Sequence, residues 1–187
     1  MLTEREKKGL LKIARAAIAG RLGLPTREES PGIAPAMREE KGAFVTLHKE
    51  GRLRGCIGNI EGRRPLFEAI AELALESAFA DPRFPALGRE EFPDIDIEIS
   101  VLTKLIRIES IEQIEVGKHG LYIRKGLHSG LLLPQVATEY GWDRNTFVEQ
   151  TCWKAGLPED AWKEDAEIYI FGGEVFGEKD PFKEGAD

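Results

Sequence analysis

Ala43-Phe44-Val45-Thr46-Leu47-His48-Lys49-Glu50-Gly51-Arg52-Leu53-Arg54-Gly55-Cys56-Ile57-Gly58 is the stretch that decides the fold. Ala43, Val45 and Leu47 alternate with Phe44, Thr46 and His48, and Lys49-Glu50-Gly51 supplies turn chemistry before a second extended run, the pattern of a β-hairpin. A three-residue loop sets Leu53 opposite Leu47, Arg54 opposite Thr46 and Cys56 opposite Phe44. Strand side chains alternate, so this register gathers Ala43, Val45, Leu47, Leu53 and Ile57 on one apolar face. Arg52, Arg54, Cys56, His48, Thr46 and Phe44 then share the other.

Elements on both sides extend this reading. Upstream, Thr3 and Glu6 form a capping box for a helix whose stripe is Leu10, Leu11, Ala14, Ala17, Ile18 and Leu22, stopped by Gly20 and Pro25. Residues 23–41 carry three prolines without periodicity and read as a long loop. Downstream, Pro65 suits the first position of a helix with the stripe Leu66, Phe67, Ile70, Leu73, Ala74, Ser77 and Ala78. Asp81-Pro82-Arg83-Phe84-Pro85 is a stiff loop, because proline fixes its own φ and restricts its predecessor. Asp94 to Val101 alternates without error, with Ile95, Ile97, Ile99 and Val101 on one face and carboxylates on the other.

Further on, Ser110 and Gln113 can cap a short helix, Leu121 to Arg124 and Leu127 to Leu133 read as strands, and Pro134 can open a helix. Asp143 caps a helix carrying Phe147, Val148, Thr151, Cys152 and Ala155, and Ile168 to Phe171 reads as the last strand. Hairpins mixed with helices, rather than regular βαβ units, give an α+β domain on a mainly antiparallel sheet.

With 187 residues, 42% of them hydrophobic and 32% charged, the chain has enough apolar surface for one core and too little length for two full domains. A net charge of −7 argues against broad duplex-DNA or anionic-membrane binding, which needs a basic surface. Two cysteines, Cys56 and Cys152, are too few for a disulfide framework. There is no signal-like apolar run and no stretch near membrane-span length, so the expectation is a cytoplasmic protein without a membrane role. No Walker loop, dinucleotide fingerprint or nucleophile elbow occurs, so no cofactor is expected.

The negative total conceals a basic segment. Residues 48–64 carry Lys49, Arg52, Arg54, Arg63 and Arg64 against Glu50 and Glu61, a net +3 around Cys56. Cations near a thiol favour its thiolate, the nucleophilic form. The plainer account is a small residue in a crowded strand, with Gly55 and Gly58 permitting close backbone approach. His119, at a turn between Lys118 and Gly120, is the first candidate for the base such a thiol needs; His48 and His128 are alternatives. The three histidines show no metal-ligand spacing with each other or with the cysteines, so no metal site is expected. Glu98, inside the best strand, is the carboxylate least free to be solvated. Cys152 falls on a helix's apolar stripe, and Trp142, Trp153 and Trp162 read as packing or anchoring residues.

Leu53-Arg54-Gly55-Cys56-Ile57-Gly58 resembles the signature of the AMMECR domain family. Further blocks resemble the family's in the same order: Asp81-Pro82-Arg83-Phe84-Pro85, Ile99 to Thr103, His119-Gly120, Gly130 to Ala137, and Cys152-x-Lys154-Ala155-Gly156-Leu157-Pro158. The resemblance spans about residues 5–176 of a single domain, 1–187, leaving 177–187 as an expected flexible tail. It implies an α+β fold with an antiparallel sheet, flanking helices and a smaller sub-lobe. It also implies company, since prokaryotic relatives occur with a radical S-adenosylmethionine protein and a Memo-like protein. The family has no settled activity. Its signature residues fall on Arg54, Gly55, Cys56 and Gly58, with Asp81, Arg83 and His119 from the other blocks.

Two functional expectations follow. In the first, a cleft between the Cys56 hairpin, the Asp81 loop and the His119 turn handles a small-molecule substrate in an enzyme or enzyme component. There Cys56 is the nucleophile, His119 the base, and Arg54, Arg83, Asp81 and Glu98 line the substrate site. In the second, the chain is a non-catalytic partner of the radical S-adenosylmethionine and Memo-like proteins, docking through the hairpin or the 25–35 loop. Nucleic-acid binding through residues 48–64 is the weakest of the readings, given the acidic remainder.

Overall fold

The Thr3 hydroxyl accepts the Glu6 N–H at 3.3 Å and the Glu6 carboxylate accepts the Thr3 N–H at 2.7 Å, so helix α1 (Glu4–Arg21) starts at the capping box read from the sequence. The computed structural model describes residues 1–25 and 32–179; part of the 23–41 loop and the tail from residue 180 lie outside the described residues. The chain continues through β1 (Ala43–Lys49), β2 (Arg52–Asn59), α2 (Leu66–Phe79), β3 (Ile95–Leu102), β4 (Ile106–Ile108), β5 (Gly120–Lys125), β6 (His128–Leu132), α3 (Pro134–Glu139), α4 (Arg144–Lys154), β7 (Glu167–Phe171) and β8 (Gly173–Gly177). Among the described residues, four helices and two antiparallel sheets give an α+β fold.

The chain divides into two units: Met1–Val101 with the residues from Glu174, and Leu102–Gly173. The first holds a sheet of order β2-β1-β3-β8. Ala43, Val45 and Leu47 of β1 and Ile95, Ile97, Ile99 and Val101 of β3 are buried with Leu10, Leu11, Ala14 and Ile18 of α1 and Leu66, Ile70, Leu73 and Ala74 of α2. Each such aliphatic side chain contributes about 1.5–3 kcal/mol on leaving water, so this one face holds the unit together. Arg15 ties α1 to the same sheet, donating to the Phe92 and Ile95 carbonyls and to Glu178. Glu178 in turn accepts the Ile97 N–H at 2.9 Å. β8 and the Glu178 contacts therefore continue the first unit beyond Phe176.

The second unit is a sheet of order β4-β7-β5-β6 with its own core of Leu121, Ile123, Phe147, Val148, Cys152 and Ile168. Its Ser110 and Asp143 caps are present as expected. β7 is followed by β8 and is not the last strand. Trp142 and Trp162 pack on this core, whereas Trp153 stands 76% exposed on α4. Among the described residues no helix is long and apolar enough to cross a membrane.

The hairpin differs from the expected register. Glu50 and Gly51 both take positive φ, 53° and 74°, which is the two-residue turn whose twist matches antiparallel strands. His48 therefore pairs with Leu53, and a bulge at Arg54 then shifts the ladder so that Leu47 meets Gly55, Thr46 meets Cys56 and Phe44 meets Gly58. The extra residue moves Leu53 out of the apolar face onto the side of His48 and Cys56, where it is 42% exposed. Arg54, expected on the open face, is 8% exposed instead.

Candidate functional site

β2 lies at the edge of its sheet, so half of its backbone N–H and C=O groups have no strand partner. At Cys56 side chains take that place. The Asp81 carboxylate accepts the Cys56 N–H at 2.9 Å, and Arg83 Nη2 donates to the Cys56 carbonyl at 3.1 Å. Asp81 and Arg83 are joined by Nε to Oδ1 at 3.0 Å and Nη2 to Oδ2 at 2.7 Å, a bidentate pair built within the stiff Asp81–Pro85 loop. Asp81 is 4% exposed, and its carboxyl is held well below the usual range, first by the Arg83 hydrogen bonds and then by the Cys56 and Arg83 N–H groups, against the cost of burial. One residue on, the Ser77 hydroxyl of α2 accepts the Ile57 N–H at 2.9 Å and donates to the Val45 carbonyl at 2.7 Å, bridging β1 and β2.

The neighbouring cation is managed separately. Bulged Arg54 donates to Glu91 from Nε at 3.2 Å and Nη2 at 2.9 Å, and Lys49 reaches the same carboxylate at 3.1 Å. Its Nη1 is buried with no partner among the described residues. Glu91 is pulled down to about 2, by Arg54 first, then Lys49 and the Gly88 N–H, with burial opposing. A carboxyl depressed in the folded state stabilises above its unfolded pKa and loses that contribution as pH falls through the folded value. Urea unfolding between about pH 5 and pH 2 is accordingly expected to show a falling stability of which Glu91→Gln removes part; an unchanged acid slope in the variant would refute the Arg54 pairing.

The other face of this sheet is polar around Cys56. Thr46 of β1 has Cys56 on one side and Glu98 of β3 on the other, so a thiol, a hydroxyl and a carboxylate form a row across three strands. Thr46 Oγ1 donates to Cys56 Sγ at 3.3 Å. In the next row His48 lies between Leu53 and Asp96. Cys56 is half-buried, while Cys152 is fully buried and burial pushes its thiol up. Among the described residues no group of three His, Cys, Asp or Glu side chains could hold a metal ion.

Of the residues singled out from the sequence, Cys56, Asp81 and Arg83 come together directly, Glu98 stands in the Cys56 row, and Arg54 is committed to Glu91. His119 belongs to the other unit. There its Nδ1 accepts the Glu115 N–H at 3.1 Å, which in the neutral ring places the hydrogen on Nε2. Sequence reasoning missed Glu91, whose only signal is that an arginine held in a strand needs a carboxylate. It also missed Thr46 and Ser77 as hydrogen-bonding partners of the hairpin. Those roles depend on register and helix docking.

The fold is α+β with antiparallel sheets, and the Cys56 backbone is held at an edge strand by the Asp81–Arg83 ion pair. The chain matches the AMMECR1 family over residues 11–176 and belongs to it. Relatives include a Methanosarcina acetivorans protein, 42% identical over 97% of this chain and 96% of its own, and a Thermococcus onnurineus protein, 46% identical over 92% and 90%. The crystal structure of an uncharacterized protein from Pyrococcus horikoshii superposes with a TM-score of 0.81 at 43% identity, covering 92% of this chain and 91% of that one.

Proposed function

We propose that this chain is a thiol-dependent enzyme, or the thiol-bearing component of one, acting through Cys56. The observation that carries the reading is the division of labour at that residue. A buried carboxylate and a guanidinium are spent on its backbone, while the residue is half-buried and the Thr46 hydroxyl donates to its sulfur. A donor at the sulfur serves any step in which sulfur carries negative charge, as attacking or leaving group. The Arg83 side chain, 54% exposed beside this residue, suits an anionic group on a small electrophilic substrate, and Glu98 closes the other end of the row.

The test uses a small acetyl thioester and intact-protein mass. Native protein is expected to take up one acetyl group at Cys56 faster than a free cysteine peptide does, Cys152 being sealed, and Cys56→Ser takes up none. Acylation no faster than the free peptide would sink the reading.

A second reading, a docking partner, draws on Leu53, which the bulge turns outward at 42% exposure beside exposed Arg52. The family resemblance supplies radical S-adenosylmethionine and Memo-like proteins as the candidates. Retention of such a partner by Cys56→Ser and its loss on Leu53→Asp would favour docking over chemistry.

A further inference from the structure

The base for Cys56 is sought on the sheet that carries the thiol. His119 lies in the other unit, and its Nδ1 lone pair already accepts the Glu115 N–H, which in the neutral ring leaves a hydrogen on Nε2. On the open face of the first sheet, β1 sets Thr46 opposite Cys56 and His48 two residues further along the same side. His48 and Cys56 are thus diagonal neighbours on adjacent strands. Such pairs lie roughly 7–8 Å apart at Cα, within reach of an aromatic side chain. The bulge at Arg54 leaves Leu53 directly across from His48, so no cationic side chain of β2 stands opposite the ring. On its other side His48 faces Asp96 of β3, with Glu98 on the diagonal; Asp96 is itself paired with Lys179. Both His48 and Cys56 are half-buried, neither sealed in the core nor fully solvated.

Resting on the thiol reading above, we propose that His48 is the proton acceptor for Cys56, with Asp96 and Glu98 as its carboxylate neighbours. The Cys56 Sγ proton moves to a ring nitrogen of His48, and a sulfur electron pair forms the bond to the carbonyl carbon of an acyl donor. The C–S bond to the leaving thiol breaks with its electron pair, and the departing thiol takes the proton from the imidazolium. Cysteine and thioester become an acyl-cysteine and a free thiol, with no oxidant or further reactant.

Acetyl uptake from the same thioester decides it. His48→Gln, which keeps a polar side chain but no proton acceptor of imidazole basicity, is expected to slow uptake on the order of 100-fold, and added imidazole to restore part of the rate. Three results would overturn the assignment: His48→Gln acylating at the wild-type rate while Cys56→Ser takes up nothing; a loss that imidazole does not rescue and that comes with a lowered urea midpoint; or a loss on His119→Gln in place of His48→Gln. Each leaves Cys56 acylation by the wild type intact, whereas wild-type uptake no faster than a free peptide strikes the thiol reading itself.

Discussion

Gly55→Ala is expected to prevent the first unit from reaching its native packing. A Cβ at this position would stand 2.1 Å from the Ser77 carbonyl oxygen and 3.1 Å from its carbon. Both atoms belong to the backbone of α2, so no side-chain rotation relieves the overlap. The helix must shift away, and Ser77, 1% exposed, would carry with it the hydroxyl that bridges Ile57 and Val45. Overpacking alone costs about 1–3 kcal/mol, and the lost bridge adds about 1–3 kcal/mol for buried groups left unpaired. The sum, about 2–6 kcal/mol, reaches the lower end of the stability of an ordinary domain, about 5–15 kcal/mol. Gly20→Ala is the control: nothing lies within 4 Å of the added atom, it sits inside α1, and a gain of about 0.5–1 kcal/mol is expected. Soluble yield and urea midpoints compare the two. A Gly55→Ala protein within about 1 kcal/mol of wild type would show that α2 does not press on β2 as described.

Asp81→Ala should rank next. Its removal leaves the Cys56 N–H without an acceptor and breaks the pairing of Arg83. Breaking a buried pair costs about 3–5 kcal/mol, but Arg83 is 54% exposed and can be rehydrated, which brings the expectation to roughly 2–3 kcal/mol. Asp81→Asn is the milder change: it keeps one oxygen that can accept the Cys56 N–H, while the charge and one of the two acceptor oxygens used by Arg83 are lost. The pH dependence has a definite sign. The folded carboxyl is held below its ordinary value near 3.8, so its contribution is complete above that value and declines as the solution is acidified. In acid, Asp81→Asn should approach the wild type in stability. A gap between them that stays constant from neutral pH to about pH 2 would show that the charge is not what Asp81 supplies.

The elements themselves were legible because each rests on a local signal. The Thr3 capping box, the Asp94–Val101 alternation and the Asp143 cap all concern neighbours within a few positions. The hairpin was legible as a hairpin, yet its register was not. Whether the loop has two residues or three turns on Glu50 adopting positive φ, an uncommon choice for a residue with a side chain, and the bulge at Arg54 then compensates. That one displaced residue decided which side chains accompany Cys56, sending Leu53 outward and Arg54 inward. The Asp81–Cys56 clamp spans 25 positions and Arg54–Glu91 spans 37, distances over which no periodicity speaks. Cys56 stood out by its basic segment, whereas Asp81 and Arg83 could be joined to it beforehand only because a resemblance grouped them.

The clamp also governs how this protein behaves in a crowd. An outward-facing N–H and C=O on an edge strand are a template on which a strand of another copy can add, and repetition of that event builds aggregates. Asp81 and Arg83 occupy both groups of Cys56, imitating the neighbour that the sheet lacks. Losing the Asp81 side chain, as in Asp81→Ala, would therefore uncover an adhesive border on β2. That substitution is then a hazard of self-association at β2 as well as a loss of stability.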